Sequence, residues 1–352
     1  MTEIPEDWNK AIARVTNEGG RVIVIGAVDS GKSTFSKLLV DTTARKHEII
    51  LIDADIGQSY LGPPATIETS LFHNLPDWKN LGPPDYMYFI GDTTPEGHFS
   101  LFLSCIKKIC MIAEEKRAFL TILDTTGMVS GEGAKMLKRK KMEIFRPDHI
   151  VILQRSGESE HLLYPYIYHE EGVNIHRLGV VKVAKTRSKA ERREYRRNRF
   201  KIYFEDAEVC ILPLNSVELI KGPPHTHRRL SSSERDFFSM VIGVPVLYGT
   251  KSAIRVNLIT AGEVKGNAIG EIWKHYPDRE IVVTDLRKLE GLLLGLDVNG
   301  DNTTALGILS GISAERGNIQ ILTPLKDSSK IQTIRLGNLK VKTSGEEQRF
   351  QW

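Results

Sequence analysis

Residues Gly26 to Thr34 read Gly-Ala-Val-Asp-Ser-Gly-Lys-Ser-Thr, a complete G-x-x-x-x-G-K-S loop between the apolar run Val22 to Ile25 and the helical pattern Phe35, Leu38, Leu39. A strand that turns through such a loop into a helix is the signature of a triphosphate site. A triphosphate is held mostly by backbone N–H groups, which surround its oxygens only where the chain curls tightly. Gly26 and Gly31 permit the curl, and Ala27, Val28, Asp29 and Ser30 complete the cradle. The helix that follows aims free N–H groups and the positive end of its dipole at the β-phosphate. Lys32 reaches the β and γ oxygens, Ser33 is placed for Mg²⁺, and Thr34 closes the motif.

Outward from the loop, short apolar runs alternate with helical patterns: Ile49 to Ile52, Met87 to Ile90, Phe119 to Leu123, Ile150 to Leu153, Val180 to Val183 and Val209 to Leu212. Fully apolar strands separated by helices imply an α/β fold, a parallel sheet of the P-loop NTPase kind with helices on both faces. After Pro223 and Pro224 the pattern changes to alternation, as in Ile254, Val256, Leu258 and Ile331 to Leu336, with turns such as Val298-Asn299-Gly300-Asp301. The expected division is a P-loop domain over residues 1–240 and a smaller β-rich C-terminal domain over 241–352.

Composition excludes several classes. A chain of 352 residues with 41% hydrophobic and 26% charged residues is ordinary for a folded two-domain protein and is not a disordered one. Met1 to Lys10 carries acidic residues and no signal-type apolar core, and no run approaches the roughly eighteen apolar residues of a membrane span. The expectation is a cytoplasmic protein, or a nuclear one in a nucleated cell, with no membrane partner. Cys105, Cys110 and Cys210 have no metal-ligand spacing and read as buried free thiols. His225 and His227 have no neighbouring ligand set. A net charge of +4 is mild, so a polyanion site must come from local clustering.

Ligands of such sheets sit at the carboxyl ends of the strands. After the second apolar run comes Asp53-Ala54-Asp55-Ile56-Gly57-Gln58, with carboxylates at i and i+2 on one strand face. One is suited to hold Mg²⁺ and the other to take a proton from an attacking hydroxyl; the alternative is an acidic turn facing solvent. After the fourth comes Asp124-Thr125-Thr126-Gly127, where Asp124 is a second candidate metal ligand. The D-x-x-G string also marks GTPase switches, but neither N-K-x-D nor T-K-x-D occurs, which argues against a regulatory GTPase.

Lys182 to Lys201 is the most unusual stretch, with Lys185, Arg187, Lys189, Arg192, Arg193, Arg196, Arg197 and Arg199. Ser188-Lys189-Ala190-Glu191 fits a capping box, so a helix begins near Ser188 with Arg192 and Arg196 one turn apart. This reads as a lid near 187–199 whose arginines neutralise a transferring phosphoryl group, or as a solvated basic face that binds nucleic acid. A second cluster, Lys135, Lys138, Arg139, Lys140 and Lys141, is open between nucleic-acid contact and the polar side of a helix packed through Met136, Leu137 and Met142. Gly91-Asp92-Thr93-Thr94-Pro95-Glu96-Gly97-His98 places a rigid polar loop at the same sheet edge, with His98 either touching substrate or incidental.

The order G-x-x-D-x-G-K-S-T, D-x-D-x-G-Q, G-D-T-T-P, D-T-T-G and an R-S-x-x-x-R-x-x-x-R helix resembles the polynucleotide 5′-hydroxyl kinases, the RNA kinases that include the cleavage-factor kinase subunit and the ribosomal-RNA processing kinases. The resemblance covers most of residues 1–215 and, more loosely, the C-terminal half. It implies ATP and Mg²⁺ bound by Lys32, Ser33 and Thr34, beside the strand-end candidates for the metal, Asp53 and Asp124. It implies Asp55 as base, Gln58, Thr125 and Met128 toward the substrate, and Arg187, Arg192 and Arg196 as lid arginines. The implied activity is transfer of the γ-phosphate to the 5′-hydroxyl of RNA, with DNA as a second acceptor and RNA-processing proteins as partners. The other reading is an ATP-binding scaffold of such an assembly, without turnover. Members with a T-x-G-W clasp stack its tryptophan on a substrate base, where this chain offers Met128. Larger relatives carry an N-terminal β domain, so adenine contacts are expected from elsewhere.

Overall fold

The computed structural model describes residues 4–164, 166, 172–181, 186–221, 227–266, 268–298, 300, 302–313 and 315–352. Lys182, Val183, Lys185, His225, Asn299 and Asp301, which enter the expectations above, lie outside them. The chain forms two compact units, Met1–Arg196 and Arg197–Trp352.

In the first unit the elements run α1 (Glu6–Glu18), β1 (Gly20–Gly26), α2 (Lys32–Thr43), β2 (Ile49–Ala54), β3 (Thr66–Phe72), β4 (Tyr86–Phe89), α3 (Phe99–Lys116), β5 (Leu120–Thr125), α4 (Glu132–Phe145), β6 (His149–Gln154), β7 (Asn174–Gly179) and α5 (Lys189–Tyr203), whose last residues belong to the second unit. The seven strands form one sheet in the order β4-β3-β2-β5-β1-β6-β7. The five from β2 to β7 are parallel, while β3 pairs antiparallel with both β2 and β4, so the sheet is mixed rather than purely parallel.

Successive strand residues point to opposite faces, and both faces are covered. Val22, Val24, Leu51 and Ile122 pack with Trp8, Val15, Phe35 and Leu39 of α1 and α2. Ile23, Ile25, Ile52 and Leu123 pack with Phe102, Ile106 and Leu137 of α3 and α4. Each of these buried aliphatic side chains contributes about 1.5–3 kcal/mol relative to exposure. Cys105 and Cys110 are free and buried, and Cys210 is free and half-buried.

Two expected strands are corrected. The strand after β6 is Asn174–Gly179 and ends before Val180; Val180 and Val181 lie outside any strand, and on this edge strand only Leu178 is buried, so no apolar run marks it. Val209 to Leu212 lies in β8 (Glu208–Pro213), which pairs antiparallel with a C-terminal strand instead of joining the first sheet. A short apolar run shows a strand but not its sheet.

The second unit continues with β8, β9 (Glu218–Ile220), β10 (Arg228–Arg229), α6 (Ser232–Ile242), β11 (Val246–Lys251), β12 (Arg255–Thr260), α7 (Ala268–His275), β13 (Glu280–Asp285), β14 (Leu292–Asp297), β15 (Ala305–Ser313), β16 (Asn318–Thr323), β17 (Thr333–Val341) and β18 (Glu347–Arg349). The compact units meet at Arg196 and Arg197, before the residue 240 at which the sequence pattern changes, and within the second unit β8 is hydrogen-bonded to β16 and β9 to β17. That sheet runs β18-β17-β14-β15-β16-β8, with β9 beside β17. The unit also holds a second sheet, β10-β11-β12-β13, in which β12 and β13 are parallel and joined through α7. Ser231 and Glu234 form a reciprocal capping box at the start of α6, whose Phe238 and Ile242 pack with Val256, Leu258 and Ile272. No helix among the described residues is long and apolar enough to cross a membrane.

Candidate active site

The loop from Gly26 to Lys32 leaves the carboxyl end of β1 and enters α2 through Gly31 at φ 93°, a left-handed conformation that glycine adopts without strain. Asp29 is also left-handed, at φ 57°. A Cβ on Gly26 would strike Ser30 Oγ and stand 2.6 Å from Leu153 O, so the first glycine is needed for space. Trp8 of α1 lies beneath the loop, its ring carbon 3.1 Å from where a Gly31 Cβ would stand and its Nε1 donating to Gly179 O at 2.9 Å. Lys32 is buried, and its Nζ donates to Ala27 O at 2.8 Å, which keeps the amine folded over the loop. The hydroxyl of Ser30 is buried with no hydrogen-bond partner, while Ser33 is half-buried and Thr34 exposed.

Three strand ends bring the acidic residues to this loop. In the parallel register Asp124 faces Val24 on one side and Asp53 on the other. Both carboxylates are fully buried. Asp53 Oδ2 accepts from Tyr60 N at 2.8 Å and Ser59 Oγ at 3.1 Å, and Asp53 Oδ1 accepts from Asp55 N at 3.1 Å. Asp124 Oδ2 accepts from Tyr60 Oη at 3.3 Å, and its Oδ1 has no hydrogen-bond partner. Burial, then the Asp124 and Asp55 charges, pushes Asp53 up to about 7. Burial pushes Asp124 up to about 6, against the opposing pull of Lys32 and the Ser33 hydroxyl. Asp55 lies just past β2, half-buried, and its Oδ1 accepts from Gly57 N at 3.3 Å.

The basic helix reaches the same place within the first unit. The capping box forms, with Ser188 N donating to Glu191 Oε2 at 2.6 Å and Glu191 N to Ser188 Oγ at 3.1 Å. Arg187 N and Arg192 Nη1 both donate to Asp29 Oδ2, at 2.9 and 3.2 Å. Gln58 Nε2 donates to Arg192 O at 3.3 Å, and its Oε1 accepts from Arg187 Nη1 at 3.3 Å. Tyr195 Oη donates to Ser59 O at 2.9 Å. Arg187 and Arg192 are thus gathered on the phosphate loop and the D-x-D-x-G-Q turn, and Arg196 is half-buried one turn further on.

Other expected positions fall out differently. Thr125 is fully buried, and its hydroxyl donates to Val24 O at 2.7 Å while accepting from Lys138 Nζ at 2.6 Å, so both roles are filled inside the protein. Met128 is half-buried against the core of α3 and α4. On α4, Leu137 and Met142 pack inward as expected but Met136 is exposed. Lys135 and Lys140 pair with Glu132 and Glu143, whereas Lys138 and Lys141 are fully buried, neither solvated nor facing a polyanion. Lys141 Nζ has no hydrogen-bond partner and sits 4.1 Å from the centre of the Phe102 ring. Burial lowers Lys141 to about 7 and takes Lys138 well below the usual lysine range. His98 Nε2 lies 3.4 Å from Asp92 Oδ2, in a loop whose Thr93 O approaches Gly57 so closely that a Cβ there would come within 2.8 Å.

Three participants escaped the sequence reading. Arg155, just past β6, donates from Nη2 to Asp29 O at 3.2 Å. Its place directly after the strand that an apolar run predicts is the local signal that marks it. Glu68 of β3 is buried opposite Asp53 and accepts from Ser59 Oγ at 2.7 Å. Tyr60 touches both buried aspartates through N and Oη. Glu68 carries no local signal, because β3 itself was not expected, and Tyr60 lies in the turn that follows the D-x-D-x-G-Q motif.

Gly127 fixes how closely the D-T-T-G segment approaches the phosphate loop, since a Cβ there would lie 2.8 Å from the Val28 N and Cα atoms. Gly127→Ala is expected to displace the loop at a cost of about 1–3 kcal/mol, read as nucleotide binding weakened about tenfold or more in a titration. Affinity unchanged by the methyl group contradicts that packing.

A phosphate loop on a mostly parallel sheet, buried aspartates at adjacent strand ends and an arginine helix gathered onto the loop define a P-loop nucleotide-binding protein. A family model described as "mRNA cleavage and polyadenylation factor CLP1 P-loop" matches residues 26–206, and the chain belongs to that family. It is 31% identical to the polyribonucleotide 5′-hydroxyl-kinase of Methanocaldococcus jannaschii over 98% of this chain and 94% of the relative. It is also 31% identical to that of Pyrococcus horikoshii, over 98% and 93%. Among solved structures it is similar to Clp1p in the wild-type Clp1p–Pcf11p (454–563) complex, with a TM-score of 0.66 at 12% identity, covering 95% of this chain and 78% of the other.

Proposed function

We propose that this chain is an ATP-dependent polynucleotide 5′-hydroxyl kinase that transfers the γ-phosphoryl group to the 5′-hydroxyl of RNA. The observation that carries the reading is the gathering of Arg187 and Arg192 onto the phosphate loop that holds Lys32, with both arginines also bonded to Gln58 in the turn that carries Asp55, since a nucleotide-holding scaffold has no use for a base and a lid. The names of the archaeal relatives, similar over nearly their whole length, point the same way.

Phosphoryl transfer chiefly needs positioning and charge neutralisation. The backbone of Gly26 to Thr34 binds the phosphates, and Lys32 covers the β and γ oxygens. Asp55 orients the 5′-hydroxyl and accepts its proton. Arg187, Arg192 and Arg196 neutralise the charge on the transferring group, and Gln58 ties the acceptor side to the lid. Met128 offers an apolar contact to the terminal base, while the buried Thr125 keeps its hydroxyl bonded within the protein. DNA is a second acceptor, and the protein works in the cytoplasm or nucleus beside RNA-processing proteins.

Ser33, Asp53 and Asp124 suit Mg²⁺, a hard cation that takes oxygen ligands. The fit rests on the buried Asp124 Oδ1 without a hydrogen-bond partner and on two carboxyls whose burial disfavours ionisation. When bound, the ion supplies positive charge against the phosphate oxygens. A pH dependence follows. The folded-state pKa values of Asp53 and Asp124 lie above their unfolded values, so the folded chain holds more protons, and these groups favour folding below about pH 4 and lose that contribution as pH rises toward about 7. Thermal melts with chelator are expected to show this fall, and added Mg²⁺ to raise the melting temperature more at pH 8 than at pH 5. A magnesium effect equal at both pH values counts against the site.

The reading is tested by phosphate transfer from γ-labelled ATP to 5′-hydroxyl RNA, 5′-hydroxyl DNA and a nucleoside. Transfer to RNA above the other two is expected. ATP bound without transfer to any acceptor overturns it in favour of a scaffold, and saturation by the nucleoside with no gain from longer oligomers overturns it in favour of a nucleoside kinase.

A further inference from the structure

We propose that Lys138, which no motif marks, is a positioning residue of the transfer site: from α4 it holds the Asp124–Gly127 segment against the phosphate loop. This rests on the kinase reading above.

The Lys138 side chain is fully buried, and its amine is directed at one short piece of backbone. Nζ donates to Thr125 Oγ1 at 2.6 Å and to Thr126 O at 2.5 Å, with Thr126 Oγ1 at 3.5 Å. Thr125 passes the connection on, since its hydroxyl donates to Val24 O at 2.7 Å in the strand that leads into the loop. Beyond Thr126, Gly127 stands so close to Val28 that the two segments interlock. On the near side, Asp124 is adjacent to Asp53 and has one oxygen without a partner.

A buried amine bound to three oxygens of two consecutive residues is an expensive arrangement. It fixes a segment that sequence alone leaves loose, because Gly127 and the residues up to Gly131 form neither strand nor helix. Without the amine, Thr126 O loses its buried donor, and the segment is free to move relative to Val28. A shift of about 1 Å at a site that works by alignment costs up to ~10²-fold in rate.

Lys141 provides the internal comparison. It is equally buried, one turn further along α4, but makes no hydrogen bond. If buried positive charge were what mattered, both lysines would matter. If the tie to Thr125 and Thr126 matters, only Lys138 does.

The experiment compares Lys138→Met and Lys141→Met in the full chain, since methionine nearly fills the volume and removes the amine. Measured quantities are kcat and KM for a 5′-hydroxyl RNA oligonucleotide, Kd for a fluorescent ATP analogue, and melting temperature. For Lys138→Met a folded protein with kcat lowered about tenfold or more, weaker nucleotide binding and an oligonucleotide KM within about twofold is expected. Lys141→Met is expected to keep kcat within about twofold. A folded Lys138→Met protein with kcat and Kd unchanged overturns the proposal, and so does an equal loss in both variants. If Lys138→Met does not fold, Thr125→Val cuts the same tie from its other end while keeping the shape; a drop in kcat supports the proposal and full activity overturns it. If the wild-type chain transfers phosphate to no acceptor, the kinase reading fails, and the Kd comparison still decides the role of Lys138.

Discussion

Arg192→Ala is expected to lower kcat for transfer to RNA by about 10³- to 10⁵-fold, the range seen where an arginine that neutralises a transferring phosphoryl group is removed. Arg192 is carried to the site by a helix whose start is fixed by the Ser188–Glu191 box, and its guanidinium lies 3.2 Å from Asp29 on the phosphate loop. Its side chain is one-quarter exposed, so the pair with Asp29 is partly screened and contributes little to stability by itself. The loss therefore belongs in kcat rather than in the melting temperature. Steady-state kinetics beside a thermal melt separate the two, and Arg192→Lys is expected to recover only part of the rate, because an ammonium lacks the planar fork of donors. A kcat within about tenfold of wild type places the arginine outside the transfer step.

Asp55→Asn is expected to lower kcat by about 10²- to 10⁴-fold, the usual contribution of a positioned general base. The substitution keeps the shape and the acceptance of the Gly57 N–H, which asparagine reproduces through its carbonyl oxygen. It removes only the ability to take a proton. Nucleotide and oligonucleotide affinities should stay within about twofold, which equilibrium titrations check. An Asp55→Asn enzyme that transfers at the wild-type rate moves the base elsewhere, and the buried Asp53 beside it becomes the group to substitute next.

The legible parts of this fold are the ones written locally. The phosphate loop declares itself because its glycines, lysine and serine are consecutive and the apolar run before them can only be a buried strand. The capping box of the basic helix α5 is likewise a four-residue pattern. The strand-end position of Asp53, Asp55 and Asp124 follows from the apolar runs that precede them. What was not legible depends on partners far away in sequence. β3, Thr-Ile-Glu-Thr-Ser-Leu-Phe, has no apolar run, because its Glu68 is buried against Ser59 and Thr66 rather than exposed. β7 is an edge strand with one buried side chain. β8 reads correctly as a strand and wrongly as a member of the first sheet, since its hydrogen-bond partner β16 is about a hundred residues later. The lysines of α4 misled for a related reason. Helical periodicity assigns lysine to the wet side, and only the tertiary position of Thr125 and Thr126 gives Lys138 a reason to face inward.

The buried charges have a consequence at the surface. Among the described residues six carboxyl side chains are buried, Asp53, Glu68, Asp92, Asp124, Asp285 and Asp297, against three lysines, Lys32, Lys138 and Lys141. Acid is withdrawn from solvent more than base is, so the side chains left at the surface of the described residues lean further toward basic than the composition does. A polynucleotide that approaches that surface meets the basic excess, sheds counterions in proportion to the phosphates neutralised, and is held the more weakly the saltier the medium.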